Sequence, residues 1–311
     1  MNVYMTLEFW QQFIFSIIRL STPLIFAAMA AVISNKAGIL NMALESMMLT
    51  SALVGVVASA YTSNPWLGLL FAFLGGILMA VIISYFVLII KADLNLTCIA
   101  VNLMASGGTV FAMYLIAGNK ATTAIALKSF NLPNISIPII KDIPIIGPIL
   151  SGHHILTYVA FLSVFVVTFV LYRTVIGLRI RAVGENPESA SSVGVNVTKV
   201  RFLSFVISGI ICTFAGVYMS MGYVQWFSKD MIAGRGYIGL SAMNIADGNP
   251  LGSFFAAFVF GAADALANAL QMTSFPVEFI LMIPYAATAI LLTVKSIINE
   301  AKRKKALELS E

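Results

Sequence analysis

The chain has 311 residues, of which 60% are hydrophobic and only 10% are charged. A soluble domain carries about a quarter charged residues, so this composition excludes a water-soluble protein with an ordinary surface. The net charge of +5 does not indicate nucleic-acid binding, because basic loop residues commonly set the orientation of a membrane protein. Cys98 and Cys212 lie far apart in apolar stretches without metal-ligand spacing and are expected to be small core residues.

Apolar stretches recur along most of the chain at about 20 residues each, the length that crosses a ~30 Å hydrocarbon core. They predict an all-α polytopic membrane protein, a single domain over 1–311 with about nine transmembrane helices (eight to ten). The short, Gly-rich seventh stretch is a candidate for a re-entrant or broken helix, which is tolerated only inside protein or beside a cavity. The predicted segments are 10–34, 42–61, 66–90, 96–117, 154–172, 202–226, 236–246, 251–271 and 277–298.

The distribution of Lys and Arg predicts an N-terminus outside and a C-terminus in the cytoplasm, since cytoplasmic loops are enriched in these residues. Residues 118–152 then form an extracellular loop, 173–201 a cytoplasmic coupling loop and 299–311 a cytoplasmic tail. No cleavable signal peptide is expected, because no basic region precedes the first apolar stretch. Twelve basic residues lie inside, Lys36, Lys91, Arg173, Arg179, Arg181, Lys199, Arg201, Lys295, Lys302, Arg303, Lys304 and Lys305, and five outside, Lys120, Lys128, Lys141, Lys229 and Arg235.

The cytoplasmic loop carries the signals of a short helix of about two turns. Asn186 is a good N-cap and Pro187 suits the first helical position. Glu188 complements the helix dipole, and Gly194 can end the helix in a left-handed conformation. A helix this short is not stable alone, so it requires a surface to pack on. Lipid headgroups or a cytoplasmic protein partner would both provide one.

The run Arg-Ala-Val-Gly-Glu-Asn-Pro-Glu-Ser-Ala over 181–190 resembles the coupling segment of a known family. This is the branched-chain amino-acid/ribose permease family, which serves ABC importers of ribose, other simple sugars and nucleosides. Runs at 35–45, 100–107, 233–240 and 248–252 are similar to further segments of that family in the same order, and 100–107 is similar to a segment of its nucleoside branch. The family seats this helix in a groove of the ATPase, which implies an ATPase-coupling role for Arg179, Arg181, Gly184, Glu185, Asn186, Pro187, Glu188, Ala190 and Gly194.

The resemblance implies a permease subunit of an ABC importer in a bacterial inner membrane, forming the translocation path for nucleosides. It implies no enzymatic activity and no cofactor bound by this chain, with ATP and Mg on partner subunits. The implied partners are an ABC ATPase, a second and different permease subunit, an extracellular substrate-binding lipoprotein and membrane lipid, with no nucleic acid. Import of ribose, other simple sugars or riboflavin by the same architecture is one alternative, and an ion-coupled secondary transporter is another.

Polar side chains at membrane depth are costly, so each is a candidate for function. Asn41 and Glu45 lie four residues apart on one helical face and either line a path or bind neighbouring backbone. Asn102 can donate and accept hydrogen bonds at once, as a sugar hydroxyl or a base edge requires, but amides also link neighbouring spans. Asp264 and Asn268, one turn apart, either face the pore or pair with a neighbouring helix.

Three outer residues, Tyr223, Gln225 and Trp226, are further path candidates, with an interfacial aromatic belt as their alternative. Arg235 lies between two glycines and either receives an acidic side chain of an external binding protein or anchors a helix start. The pair His153-His154 has no evident third ligand, so no metal site is expected.

Overall fold

The computed structural model describes residues 7–136, 138, 147–271, 282, 286 and 288–297. Within these residues there are helices, loops and two isolated β-bridges but no β-strand, which confirms the all-α prediction. Seven of the described helices are long and apolar enough to cross a membrane. The helices of six or more residues are α1 (Leu7–Lys36), α2 (Leu44–Thr62), α3 (Pro65–Ser84), α4 (Leu94–Ala117), α5 (Ile155–Arg173), α6 (Val175–Glu185), α7 (Pro187–Ser192), α8 (Val197–Val217), α9 (Arg235–Ile245), α10 (Pro250–Leu270) and α11 (Thr288–Ile297). A single helical turn, Gly147–Leu150, precedes α5.

The long helices match seven of the nine predicted segments. The short Gly-rich segment forms α9, whose 11 residues extend about 16 Å and cannot span a bilayer. Most of the ninth segment lies outside the described residues, apart from α11, and so does the predicted tail at 299–311. Two spans end in a π-helical turn, at Tyr85–Ile89 after α3 and at Tyr218–Tyr223 after α8.

Three helices begin with the same dipeptide, Asn-Pro. The Asn side chain accepts a hydrogen bond from the backbone of the first turn, and the Pro takes the first helical position, where a missing N–H costs nothing. Asn64 thus caps α3, Asn186 caps α7 and Asn249 caps α10. The positions of these three helix starts are therefore encoded by two adjacent residues in the sequence.

Helix α1 is the centre of the bundle, since its side chains from Leu20 to Ile33 are all buried. It packs against α8, α9 and α10. Pro23 lies inside this helix and has no N–H to donate to the carbonyl of Arg19. The Tyr218 hydroxyl donates to that carbonyl instead, at 2.9 Å. The π-helical turn after α8 therefore satisfies the backbone group that the proline leaves free.

The described part of the loop 118–152 lies against the segment that follows α8. The Thr123 N–H donates to the Phe227 carbonyl at 2.9 Å, and the Lys229 N–H donates to the Ala121 carbonyl at 3.0 Å. Further along, Asn134 pairs with His154 in an isolated bridge, just before α5. Backbone hydrogen bonds therefore hold most of the described part of this loop, and Gly147–Leu150 forms a short helix within it.

Candidate functional site

The chain turns back into the bundle between α1 and α2. Residues 37–43 are non-helical, and Gly38 adopts a positive φ of 74°. Asn41 is fully buried in this stretch: its Nδ2 donates to Ser208 Oγ at 3.3 Å, and its Oδ1 accepts from the Ala43 N–H at 3.0 Å. Asn41 thus binds neighbouring protein groups and leads the chain into α2. The prediction that it shares a helical face with Glu45 is wrong, because the helix begins only at Leu44.

Glu45, in the first turn of α2, caps the start of α9. Its two carboxylate oxygens accept hydrogen bonds from the Gly234 N–H at 2.8 Å and the Gly236 N–H at 2.9 Å. These donors have no partner within the helix, and the positive end of its dipole favours a carboxylate there. A Cβ on Gly236 would lie 2.7 Å from the Glu45 nitrogen, so only glycine permits this approach.

The contact between Glu45 and α9 lies near the middle of the membrane. An added Cβ on Gly239 would lie 2.4 Å from that of Ala27, and one on Gly248 would lie 2.6 Å from Asn35 Oδ1, so α9 runs parallel to α1. The start of α9 is then about 16 Å from the level of Lys36, the basic residue that ends α1. With Lys36 taken as the membrane surface, this distance is roughly half of a ~30 Å hydrocarbon core. Two helix N-termini, those of α2 and α9, meet at this depth.

Asn102 of α4 joins the same place. Its Oδ1 accepts from the Ser46 N–H at 3.1 Å, while its Nδ2 donates to the Met42 carbonyl at 3.0 Å and to the Tyr237 hydroxyl at 2.7 Å. Asn102 therefore satisfies a free donor at the start of α2, as Glu45 does at the start of α9. The contacts of Asn102 are thus interhelical hydrogen bonds, which was one of the two roles considered for this amide. Its side chain also borders a groove.

The groove has a volume of about 320 Å³ and opens on the lateral surface beside α4. On that surface Leu103 is 70% exposed and Tyr237 is 45% exposed. Of the path candidates, the groove brings together Glu45 and Asn102; among the described residues, its lining includes none of the other six. The polar residues that line it are Glu45, Ser46, Asn102, Ser106, Asp230 and Tyr237.

Three of these lining residues were not foreseen from the sequence: Ser106, Asp230 and Tyr237. Ser106 lies one turn beyond Asn102 on α4, and its Oγ donates to Asp230 Oδ1 at 3.0 Å. The spacing of 102 and 106 was the available signal, because residues four apart share a helix face. Nothing in the sequence places Asp230 and Tyr237 beside that face.

The three outer candidates lie where the chain leaves α8. The guanidinium of Arg19 lies over the ring of Tyr223 at 4.3 Å, a cation–π contact in the first half of α1. Gln225 has a positive φ of 70°, and its carbonyl accepts a hydrogen bond from Ser129 Oγ. Trp226 is 40% exposed. These residues order the connection that follows α8, and the groove lining resumes only four residues later, at Asp230.

Arg235 and Asp264 place a second group of charges inside the bundle. Arg235 is half-buried, and its guanidinium donates to the Ile232 carbonyl at 3.1 Å. Asp264 of α10 is buried to 9% exposure and lies within electrostatic reach of Arg235. Asn268, one turn further, is exposed. The side chain of Arg235 thus binds the backbone just before its own helix, a contact that fits the predicted role of anchoring a helix start.

The predicted coupling helix is present as α7. The Asn186 side chain accepts from the Ser189 N–H at 3.0 Å, Pro187 is the first helical residue, and Gly194 has a φ of 85°. The sequence did not predict α6, which starts immediately after α5 because Thr174 Oγ1 accepts from the Gly177 N–H at 3.2 Å. The N-capping Thr was the missed signal.

Close contacts join this hairpin of α6 and α7 to the spans. A Cβ on Gly184 would lie 2.2 Å from the Lys36 carbonyl oxygen, so α6 packs directly on the end of α1. Arg181 Nε donates to the Leu171 carbonyl at 3.0 Å, which ties α6 to α5. Ala190 is buried, whereas Arg179, Glu185, Asn186, Glu188 and Gly194 are exposed.

The sequence of this chain matches one protein family and several permease proteins. The family described as "Branched-chain amino acid transport system / permease component" matches residues 13–292. The chain is 32% identical over 284 residues to a guanosine ABC transporter permease protein of Bacillus subtilis, covering 88% of each chain. It is 30% identical over 305 residues to a nucleoside ABC transporter permease protein of Lactococcus lactis, covering 94% of each.

Two further similarities extend the comparison. A putative glucose ABC transporter permease protein of Haloferax volcanii is 31% identical over 265 residues, covering 84% of this chain and 78% of the relative. Among solved structures, PsaBC from Streptococcus pneumoniae in complex with Fab has a TM-score of 0.52 at 15% identity, covering 88% of this chain and 89% of that chain. The latter is a similarity of fold. By the match over residues 13–292, the chain belongs to the family of permease components of branched-chain amino acid transport systems.

Proposed function

We propose that this chain is a membrane-spanning permease subunit of an ABC importer and that its groove forms part of the translocation path for nucleosides. The observation that carries the proposal is a polar groove that opens on the side of the bundle near half-membrane depth. Lipid tails offer no hydrogen bonds to such groups, so a polar surface at this depth faces protein or water. A second permease subunit, packed over α4, would convert the groove into a path between the subunits.

The nucleoside proposal rests on the relatives and on the chemistry of the groove. Two of the relatives are named for guanosine or nucleosides, at 32% and 30% identity. The groove offers carboxylate, amide and hydroxyl groups beside the Tyr237 ring, which suits a solute with a flat base and a hydroxylated sugar. A simple sugar is the second candidate, since one relative is named for glucose and the same polar groups bind sugar hydroxyls.

The proposal assigns energy and delivery to other subunits. ATP and Mg would be bound by an ABC ATPase in the cytoplasm, so the chain itself would hydrolyse nothing and bind no cofactor. An extracellular binding lipoprotein would supply the solute, and the second permease would differ from this one. The N-terminus would lie outside and the α6–α7 hairpin inside, consistent with twelve basic residues in the predicted inner loops against four in the outer ones. Arg235, predicted as a fifth outer residue, instead lies at the start of α9 within the bundle.

The packing of the hairpin supports a route for transmission from the ATPase. Exposed residues of α7 would dock on the ATPase, and α6 would move with them. Gly184 of α6 packs on Lys36 and Gly38, and the chain then passes through residues 39–44 to Glu45. Glu45 in turn holds the start of α9. A displacement of the hairpin would therefore reach the groove through one short buried segment.

Uptake of labelled guanosine tests the proposal. Cells lacking the gene are compared with the same cells carrying the wild-type chain, with unlabelled adenosine, uridine, ribose or riboflavin as competitors. Uptake that requires the gene and ATP, and that nucleosides block while ribose does not, is the expected result. Unchanged guanosine uptake with reduced ribose or riboflavin uptake would contradict the substrate alone. Uptake that follows the ion gradient rather than ATP would contradict the ABC assignment.

A further inference from the structure

The groove contains a carboxylate, that of Asp230, whose hydrogen-bond acceptors are only partly used by the protein. Asp230 is exposed, and among the described residues its carboxylate accepts one side-chain hydrogen bond, from Ser106 Oγ to Oδ1. Glu45 differs, because both of its oxygens accept hydrogen bonds from the start of α9. An ionised carboxylate can accept about four hydrogen bonds, so Asp230 retains capacity for a solute in the groove.

Asp230 is also held in an unusual backbone conformation. Its φ is 51°, and nearby Ala233 and Gly234 have φ values of 49° and 78°. Asp tolerates the left-handed region better than most residues, whereas Ala does so rarely. The segment is fixed from outside by the Lys229 N–H, which donates to the Ala121 carbonyl. Ser106 and the backbone together therefore fix the direction of the carboxylate at the groove.

A hydroxyl donor lies in the same groove. Asn102 Nδ2 donates to the Tyr237 oxygen at 2.7 Å, so the phenol acts as acceptor in that bond and its own proton remains available. The groove thus combines a carboxylate acceptor with a phenolic donor. Its volume of about 320 Å³ is at the lower end of the range of about 300–1,000 Å³ for small-molecule sites.

We propose that Asp230, positioned by Ser106, binds the vicinal 2′- and 3′-hydroxyls of a ribonucleoside as it passes through the groove. The inference rests on the proposed function and names the part of the solute that the groove recognises. The two oxygens of a carboxylate can accept both hydroxyl protons of a ribose diol, and dinucleotide-binding proteins use an Asp or Glu to bind the ribose 2′-hydroxyl. The permease would then discriminate between ribonucleosides and deoxyribonucleosides after release from the binding protein.

The test is the ratio of initial uptake rates for guanosine and 2′-deoxyguanosine by the complete importer in proteoliposomes. Asp230→Asn keeps the size and the tolerance of a left-handed backbone but removes the charge. The expected result is a ratio about tenfold lower, the lower end for a hydrogen bond to a charged group at a partly solvated site. Because the same binding protein serves every variant, a changed ratio arises in the permease.

Three variants serve as controls. Ser106→Ala should lower the ratio in the same direction and Ser106→Thr, which keeps the hydroxyl, should restore it. Lys229→Gln changes a neighbouring exposed charge and should leave the ratio as in wild type. The ratio does not depend on the amount of folded protein, so poor expression of a variant does not obscure the result.

The outcomes separate the inference from the proposed function. If Asp230→Asn lowers both rates equally or neither, or if Lys229→Gln has the same effect as Asp230→Asn, diol recognition by Asp230 is wrong while nucleoside import stands. If the wild-type importer moves neither guanosine nor 2′-deoxyguanosine, the nucleoside proposal itself fails before the variants are compared.

Discussion

Replacing Glu45 with Gln probes the contact on which the site is built. The carboxylate accepts hydrogen bonds of 2.8 and 2.9 Å from two backbone N–H groups at the start of α9. A Gln side chain has the same shape but one acceptor oxygen, so its NH₂ group would face one of these donors. One hydrogen bond is lost, the other becomes neutral, and the interaction with the helix dipole disappears.

The expected cost follows from these three changes. A hydrogen bond to a charged group contributes about 1.5–3 kcal/mol, and a charge at a helix end adds about 0.3–1 kcal/mol. For the half-buried Glu45 we expect the free energy of unfolding to fall by about 2–4 kcal/mol. At about 2 °C per kcal/mol for a chain of this size, the Tm should fall by about 4–8 °C.

The assay is thermal unfolding of the purified permease in detergent, followed by uptake in cells. Glu8→Gln is the matched control, since Glu8 is exposed in the first turn of α1 and should leave the Tm unchanged. Glu45→Asp retains the charge but shortens the side chain, and we expect an intermediate Tm. A Tm for Glu45→Gln within 1 °C of the control, roughly the error of such a scan, together with normal uptake, would refute the capping role of Glu45.

Three further predictions follow from single contacts. Gly184→Ala should reduce uptake more than ATP hydrolysis, because its Cβ would lie 2.2 Å from the Lys36 carbonyl oxygen. Gly107→Ala is the control: no atom lies within 4 Å of its Cβ, so the wild-type ratio of transport to ATP hydrolysis should be kept. Asn102→Leu should lower the free energy of unfolding by about 2–4 kcal/mol in denaturant titrations, because three hydrogen bonds at 2.7–3.1 Å are lost and a helix-start N–H is left unpaired. Burial lowers the pKa of His154 to about 4 from 6.5, so the unfolded chain binds its proton more tightly. Stability should be complete above pH ~6.5 and fall by about 3 kcal/mol as the pH drops to ~4. His154→Asn, which keeps an N-cap, should remove that part of the pH dependence of the Tm, and an unchanged pH profile would contradict the assignment to His154.

The sequence predicted those features that depend on local chemistry. Spans of about 20 apolar residues can be recognised from the sequence alone, because a bilayer requires every backbone group to be paired within the helix. The start of α7 at Asn186-Pro187 and its end near Gly194 were likewise readable, since caps act within a few residues. The missed helix α6 shows the limit: its Thr174 cap follows so closely on α5 that hydrophobicity alone merges the two.

The groove was only partly foreseen. Glu45 and Asn102 were candidates because a charge or an amide inside a span is costly wherever it lies. Their partners, the start of α9 and the Tyr237 hydroxyl, are 135 or more residues away along the chain, and no local pattern encodes such pairs. Asp230, in a loop after α8, carried no signal of its own.

The sequence by itself therefore determined a polytopic helical membrane protein, the capped helix α7 and the family that the segment around this helix resembles. Tertiary structure alone decided that the starts of α2 and α9 meet near half-membrane depth and which side chains border the groove there. The physical reason is that a span needs only its own residues to satisfy its backbone. A helix that ends inside the membrane must take its hydrogen-bond partners from distant parts of the chain.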